Sequence, residues 1–235
     1  MTEPVTIMIA GEGKNALGSG LMKSLLAHFR AAGDAPILLT GHGDAFSAGL
    51  DLREVASLRR QDMEAFLRLL ERLVVQIFDH PAPVVAAVNG HAIAGGLILA
   101  LAADRRVGTT NGRARIGLNE VPLGLHFPPV LFRAVQYALP PSTREEVLLE
   151  GALHDPQDAL RLGLLHELHD DPVGRGADIL DKLALIPPDA YKAAKASLRA
   201  GVTKRNTLED SKFVADIVPA WVSPDLKARL SAMLR

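Results

Sequence analysis

Apolar residues fall along this chain in two textures. Short, dense runs, Val5 to Ala10 and Pro36 to Thr40, are β-branched or aliphatic and end at glycines, the pattern of strands buried on both faces. Between them, Leu21 to Ala32 mixes a core face (Leu21, Leu25, Ala27, Phe29) with a polar one and stops at Gly33, which predicts a helix. Strand, helix, strand over this distance predicts a parallel βαβ unit, because parallel neighbours need a long crossover.

The same alternation continues. From Leu52 to His80, the residues Met63, Phe66, Leu67, Leu70, Leu73, Val74 and Ile77 recur at steps of three and four, predicting one amphipathic helix stopped by Pro81 and Pro83. Val84 to Val88 reads as a third strand and is followed by Asn89-Gly90. Gly95 to Ala102 is apolar all round and reads as a fully buried helix, and Arg106 to Thr109 begins another strand. Beyond about Pro140 the pattern is helical alone. Asp189 is positioned to cap Ala190 to Ala200, closed by Gly201, and Ser223-Pro224 opens a last helix to Leu234. The expectation is an α/β fold over the first two-thirds and helices over the last third, without internal repeats.

Composition narrows the chemistry. A chain of 235 residues with 48% hydrophobic and 23% charged residues can build its own core without a disulfide or metal staple. It has no cysteine, which removes thiol nucleophiles, thiolate metal sites and disulfides together. A net charge of −1 argues against a broad nucleic-acid footprint and leaves room for a local basic patch. Met1 to Ala10 carries Glu3 and Pro4 and lacks the basic start of a signal peptide. The longest apolar stretch, Ala92 to Ala103, is too short to span a bilayer, so a cytoplasmic protein with no membrane partner is expected.

Three segments carry candidate chemistry. Asp44-Ala45-Phe46-Ser47-Ala48-Gly49-Leu50-Asp51 follows a strand, and its small residues let a ligand approach the backbone; Asp51 could equally cap the next helix. Asn89 to Gly96 opens the buried helix with glycines, offering free N–H groups at a helix N-terminus or, alternatively, close helix–sheet packing. Glu120 sits between Leu118 and Val121-Pro122-Leu123, apolar flanks that would desolvate a carboxylate and raise its pKa. Other features lead nowhere: Gly11-Glu12-Gly13-Lys14 misses the phosphate-loop and dinucleotide patterns, Ser47 is not in a G-x-S-x-G elbow, and the histidines lack metal-ligand spacing.

Taken together and in order, these segments resemble the enoyl-CoA hydratase/isomerase (crotonase) superfamily. The resemblance rests on Lys14-Asn15-Ala16-Leu17, Phe46 to Asp51, Pro83 to Asp104, Ile116 to Glu120 with Leu123-Gly124, and Asp158 to Leu164. It implies a spiral of ββα turns over residues 1–185, a helical C-terminal region over 186–235, and assembly into trimers or hexamers. It also implies an acyl-CoA thioester substrate, with coenzyme A belonging to the substrate and no separate cofactor or metal. The backbone N–H groups of Ala48 and Gly95 are then the oxyanion donors and Glu120 the acid/base, while Ser47, Gly49, Asp51, Gly96, Leu97, Ile98, Leu123 and Leu125 are candidate substrate-binding positions. Hydratases of the family use a second glutamate three residues after the second oxyanion glycine, where this chain has Ile98. The segments look most like mitochondrial-type Δ3,Δ2-enoyl-CoA isomerases of fatty acid metabolism, which work with a single glutamate. Another enolate reaction, or a non-catalytic acyl-CoA binder, stays open. His126 is expected to be structural or exposed, Lys227 is a candidate contact for CoA phosphates, and Phe213, Val214, Ile217 and Trp221 form an apolar face that would serve either an oligomer or the subunit's own core.

Overall fold

The computed structural model describes residues 3–234. Among the described residues, eight parallel strands divide between two sheets. The larger contains β1 (Val5–Ile9), β2 (Ile37–Gly41), β4 (Val84–Val88), β6 (Arg105–Thr109) and β8 (Glu167–His169), in the order β1-β2-β4-β6-β8. The smaller is β3 (Ala45–Ser47), β5 (His91–Ile93) and β7 (Ile116–Gly117), in that order. The three middle turns of the chain, starting at β2, β4 and β6, each lay one strand in the large sheet, one in the small sheet, and then helix. This repeated ββα step is the spiral that the sequence resemblance implies.

Alternation sorts the large sheet's side chains between two layers. Ile37, Leu39, Val84, Ala86 and Val88 enter the main core, while Leu38, Val85, Ala87 and Val107 turn the other way. That second face is covered by α8 (Pro172–Ala184), which contributes Leu180. Against the main core pack α2 (Ser19–Ala32), α4 (Arg60–Phe78), α5 (Gly95–Ala102) and α6 (Pro129–Ala138). Ahead of them, α1 (Glu12–Asn15) is a single left-handed turn rather than a helix, with φ near +60° at Gly13, Lys14 and Asn15.

Three expectations are corrected. The helix expected over Leu52 to His80 is two: α3 (Leu52–Ser57), capped by Asp51, and α4. Leu58 and Arg59 between them are extended, and the Leu58 carbonyl accepts from Lys227 Nζ at 2.9 Å, a long-range tie invisible to local periodicity. The region beyond Pro140 is not purely helical, since β8 pairs with β6 between α7 (Pro156–Arg161) and α8. Asp189 lies in the first turn of α9 (Pro188–Leu198) and does not cap it; the N-cap position is Pro187.

The C-terminal residues continue through α10 (Thr207–Lys212), a π turn, α11 (Val218–Trp221) and α12 (Pro224–Met233), which Ser223 caps as expected. Phe213, Val218, Trp221, Leu226 and Leu230 join the main core, so the apolar face of this region closes on its own subunit. Among the described residues, no helix is long and apolar enough to cross a membrane.

Candidate active site

The small sheet builds the site. Its strands are parallel, so their carboxyl ends lie together, the place where open α/β sheets hold ligands. Ala48 follows β3, Gly95 follows β5, and Glu120 lies three residues past β7. The register is set by Ala92 N–H donating to Arg115 O at 3.0 Å and Ala94 N–H donating to Gly117 O at 2.8 Å. Ala94 then takes φ 49° and ψ −124°, a conformation costly for a residue with a Cβ, and the chain turns straight into α5. The Gly95 N–H, first in that helix, has no hydrogen-bond partner among the described residues. A β-carbon on Gly96 would lie 2.8 Å from Ser47 Cβ, so glycine is what lets α5 start this close to β3.

The cavity in front of these strand ends measures about 300 Å3. Ala48, Gly95, Ile98, Glu120, Leu123 and Leu125, all anticipated from sequence, line it. The rest of the wall is long-range: Leu70 of α4, Leu131 of α6, Trp221 of α11, Leu230 and Met233 of α12, with Phe127 and Asn119 from the loop around Glu120. Of these, the sequence marked Leu70 only as part of an amphipathic helix and Trp221 only as part of an apolar packing face. Trp221 Nε1 donates to the His126 carbonyl at 2.8 Å and pins the Glu120 loop from the C-terminal side. The His126 side chain is exposed and outside the cavity lining.

The other anticipated residues form the frame. Ser47 Oγ donates to Asn15 O at 2.8 Å and accepts from Gly49 N–H at 3.2 Å. Gly49 has φ 91°, and a β-carbon there would meet the Ile93 carbonyl at 2.8 Å. Asp51 accepts from the N–H groups of Arg53 and Glu54, capping α3, and Leu97 is fully buried in the core. Ser47, Gly49, Asp51, Gly96 and Leu97 therefore do not line the cavity. The Ala48 N–H is engaged: it donates to the Lys14 carbonyl at 3.0 Å, held there by the left-handed turn of α1.

Glu120 is 5% exposed, and its Oε2 is buried without a partner. Burial pushes its pKa up to about 8, opposed only by a hydrogen bond from its own backbone. It is the one ionisable side chain among the described residues lining the cavity. Neighbouring Asn119 Oδ1 is likewise buried and unpartnered. A carboxyl group poised to exchange a proton near neutral pH, in an apolar chamber beside an unpaired backbone N–H, suits proton transfer next to a developing oxyanion.

Comparison with known proteins agrees with this geometry. The family model for enoyl-CoA hydratase/isomerase matches residues 6–223. A putative enoyl-CoA hydratase of Thermus thermophilus is 35% identical over 208 residues, covering 83% of this chain and 78% of that protein. A probable enoyl-CoA hydratase of Mycobacterium tuberculosis, EchA17, is 34% identical over 166 residues, 70% of this chain but only 63% of that relative's length. The crystal structure of human mitochondrial delta3-delta2-enoyl-CoA isomerase superposes with a TM-score of 0.89 at 24% identity, covering 95% of this chain and 90% of that one, which speaks to the fold. Sequence motifs, ββα spiral and site geometry converge on one conclusion: this chain belongs to the enoyl-CoA hydratase/isomerase family.

Proposed function

We propose that this enzyme isomerises a 3-enoyl-CoA to the trans-2-enoyl-CoA, with Glu120 as single acid/base. The observation that carries this reading is the solitude of Glu120 in its cavity, with Ile98 at the position where a second carboxylate would stand. Glu120 removes a proton from C2 of the acyl chain. The electron pair spreads through the C3–C4 double bond into a dienolate, and the negative charge collects on the thioester oxygen. The Gly95 N–H meets that oxygen, and the Ala48 N–H does so once the oxygen replaces the Lys14 carbonyl. These donors bind the dienolate oxygen more strongly than the neutral carbonyl, which is the differential binding catalysis needs. Glu120 then returns the proton at C4. Ile98, Leu123, Leu125, Leu131 and Trp221 surround the acyl chain and keep water from the intermediate.

A second reading, hydration or hydrolysis in the same site, is favoured by one observation. Asn119 Oδ1 and Glu120 Oε2, on consecutive residues that both line the cavity, are buried without partners, and bound water there would satisfy them. Parallel incubation with a 3-enoyl-CoA and a 2-enoyl-CoA separates the readings. Isomerisation consumes the first and leaves the second largely unhydrated; efficient hydration of the second supports the alternative, and change in neither marks a non-catalytic acyl-CoA binder. A cytoplasmic location and assembly as a trimer or hexamer complete the proposal, the assembly resting on family resemblance alone and read by light scattering.

A further inference from the structure

The far end of α5 opens onto a second cavity, of about 340 Å3, with a different character. Asp104, Arg106, His166, Lys195 and Arg199 line it, together with Tyr137 and Tyr191. The carboxylate of Asp104 is fully committed. Its Oδ2 accepts from Lys195 Nζ at 2.8 Å and from the Val84 N–H at 2.7 Å, and its Oδ1 pairs with Arg199 Nη2 at 2.9 Å. Nothing of opposite charge is left for Arg106, which is 3% exposed. Its Nε donates to the Leu164 carbonyl at 2.8 Å and its Nη2 to the Gly163 carbonyl at 3.3 Å, while Nη1 has no partner among the described residues. Three cations thus face one carboxylate. Arg106 is pushed down to about 9 and Lys195 to about 8, in both cases first by burial.

His166 adds a second, independent mismatch. Its Nδ1 accepts the Arg106 backbone N–H at 3.0 Å, and its Nε2 lies 3.1 Å from Arg106 Nη2. A neutral imidazole has one lone pair and one N–H. With the lone pair spent on the backbone, the Nε2 hydrogen faces an arginine hydrogen, two donors without an acceptor between them. An oxygen carrying negative charge, placed in the cavity beside both, accepts from each and offsets the surplus positive charge.

We propose that this cavity binds a small oxyanion, inorganic phosphate or a short carboxylate, between Arg106 and His166 with Lys195 and Arg199 as flanking charge. The test is calorimetric titration of the full-length protein with phosphate and, separately, acetate, at ionic strength held constant with chloride and repeated in saturating CoA. Selenate-soaked crystals provide an anomalous marker. The proposal expects saturable binding of one phosphate or acetate per chain, whichever binds tighter naming the natural chemistry, unaffected by CoA and weakened at least tenfold in His166→Ala and in Arg106→Lys. His166 is exposed, so its variant folds even if the buried arginine's does not. Selenium density should lie within hydrogen-bonding distance of Arg106 and His166. Binding no better than chloride, competition by CoA, or unchanged affinity in His166→Ala each overturns it.

Discussion

The two ends of α5 solve opposite problems. At its N-terminus the helix leaves its first N–H unpaired, strains Ala94 to aim it, and surrounds it with apolar walls and one carboxyl group. At its C-terminus the helix's own acceptors are met: the Ala102 carbonyl accepts from Arg199 Nη1 at 3.3 Å, that arginine stacks 4.2 Å over the Phe78 ring, and Asp104 just beyond the helix gathers two cations. Positive groups at a C-terminus and an open donor at an N-terminus both follow the helix dipole. The difference shows where stability resides and where it is withheld: the unpaired N–H and carboxyl at one end are free for the proposed chemistry, and the Asp104 ion cluster at the other fixes the helix in place.

The largest expected effect breaks the catalytic end. Glu120→Gln keeps the shape and loses the base, so turnover falls by at least ~10²–10⁴-fold with the fold retained. The same change should stabilise the protein. Glu120's folded pKa, about 8, lies above its unfolded value, so the folded state binds more protons between the two, and stability falls as pH rises through that window. Above pH 8 the ionised carboxylate is buried at full cost, and Gln removes that cost, a gain on the order of a few kcal/mol. Near-normal activity, or denaturant midpoints that do not diverge from wild type with rising pH, would remove Glu120 from its role.

At the other end, Asp104→Ala leaves Lys195 and Arg199 buried without their counter-charge. Stability should drop by about 3–5 kcal/mol, read by urea denaturation, while turnover per folded molecule stays close to wild type. A selective loss of activity with unchanged stability would contradict this division of labour.

The smallest effect sharpens the comparison at the Ala48 donor. Lys14 holds φ 59°, a left-handed value that glycine adopts without the Cβ penalty. Lys14→Gly and Lys14→Ala both lose the exposed pair with Asp44, but Gly favours the turn that keeps the Lys14 carbonyl on the Ala48 N–H. KM should therefore be about fivefold or more higher in the glycine variant than in the alanine variant, a difference of ~1 kcal/mol. Equal KM values would mean that this carbonyl does not compete with substrate.

Much of this was legible in the sequence because it is local. Dense apolar runs marked β1, β2 and β4, the all-apolar Gly95 to Ala102 stretch marked α5, and the apolar flanks of Glu120 marked its burial. What escaped depends on distance or brevity. Strands of two or three residues, such as β5 and β7, are too short to show a period, and β8 carries Glu167 and His169 at a sheet edge. The break at Leu58 depends on Lys227, and the back wall of the cavity comes from helices far apart in the chain. The engaged Ala48 N–H was invisible for the same reason: the residue lies in its expected segment, but the carbonyl it meets belongs to a turn more than thirty residues earlier.

Single-base isomerisation is tested most directly by following one hydrogen. With a 3-enoyl-CoA deuterated at C2 and the reaction run in ordinary water, the label taken by Glu120 is carried to C4 on the same face of the chain. The apolar wall around Glu120 slows its exchange with solvent. Mass and NMR analysis of the product should find part of the deuterium at C4, delivered suprafacially. Delivery of the C4 hydrogen from the opposite face would require a second acid and would contradict the assignment of both proton transfers to Glu120.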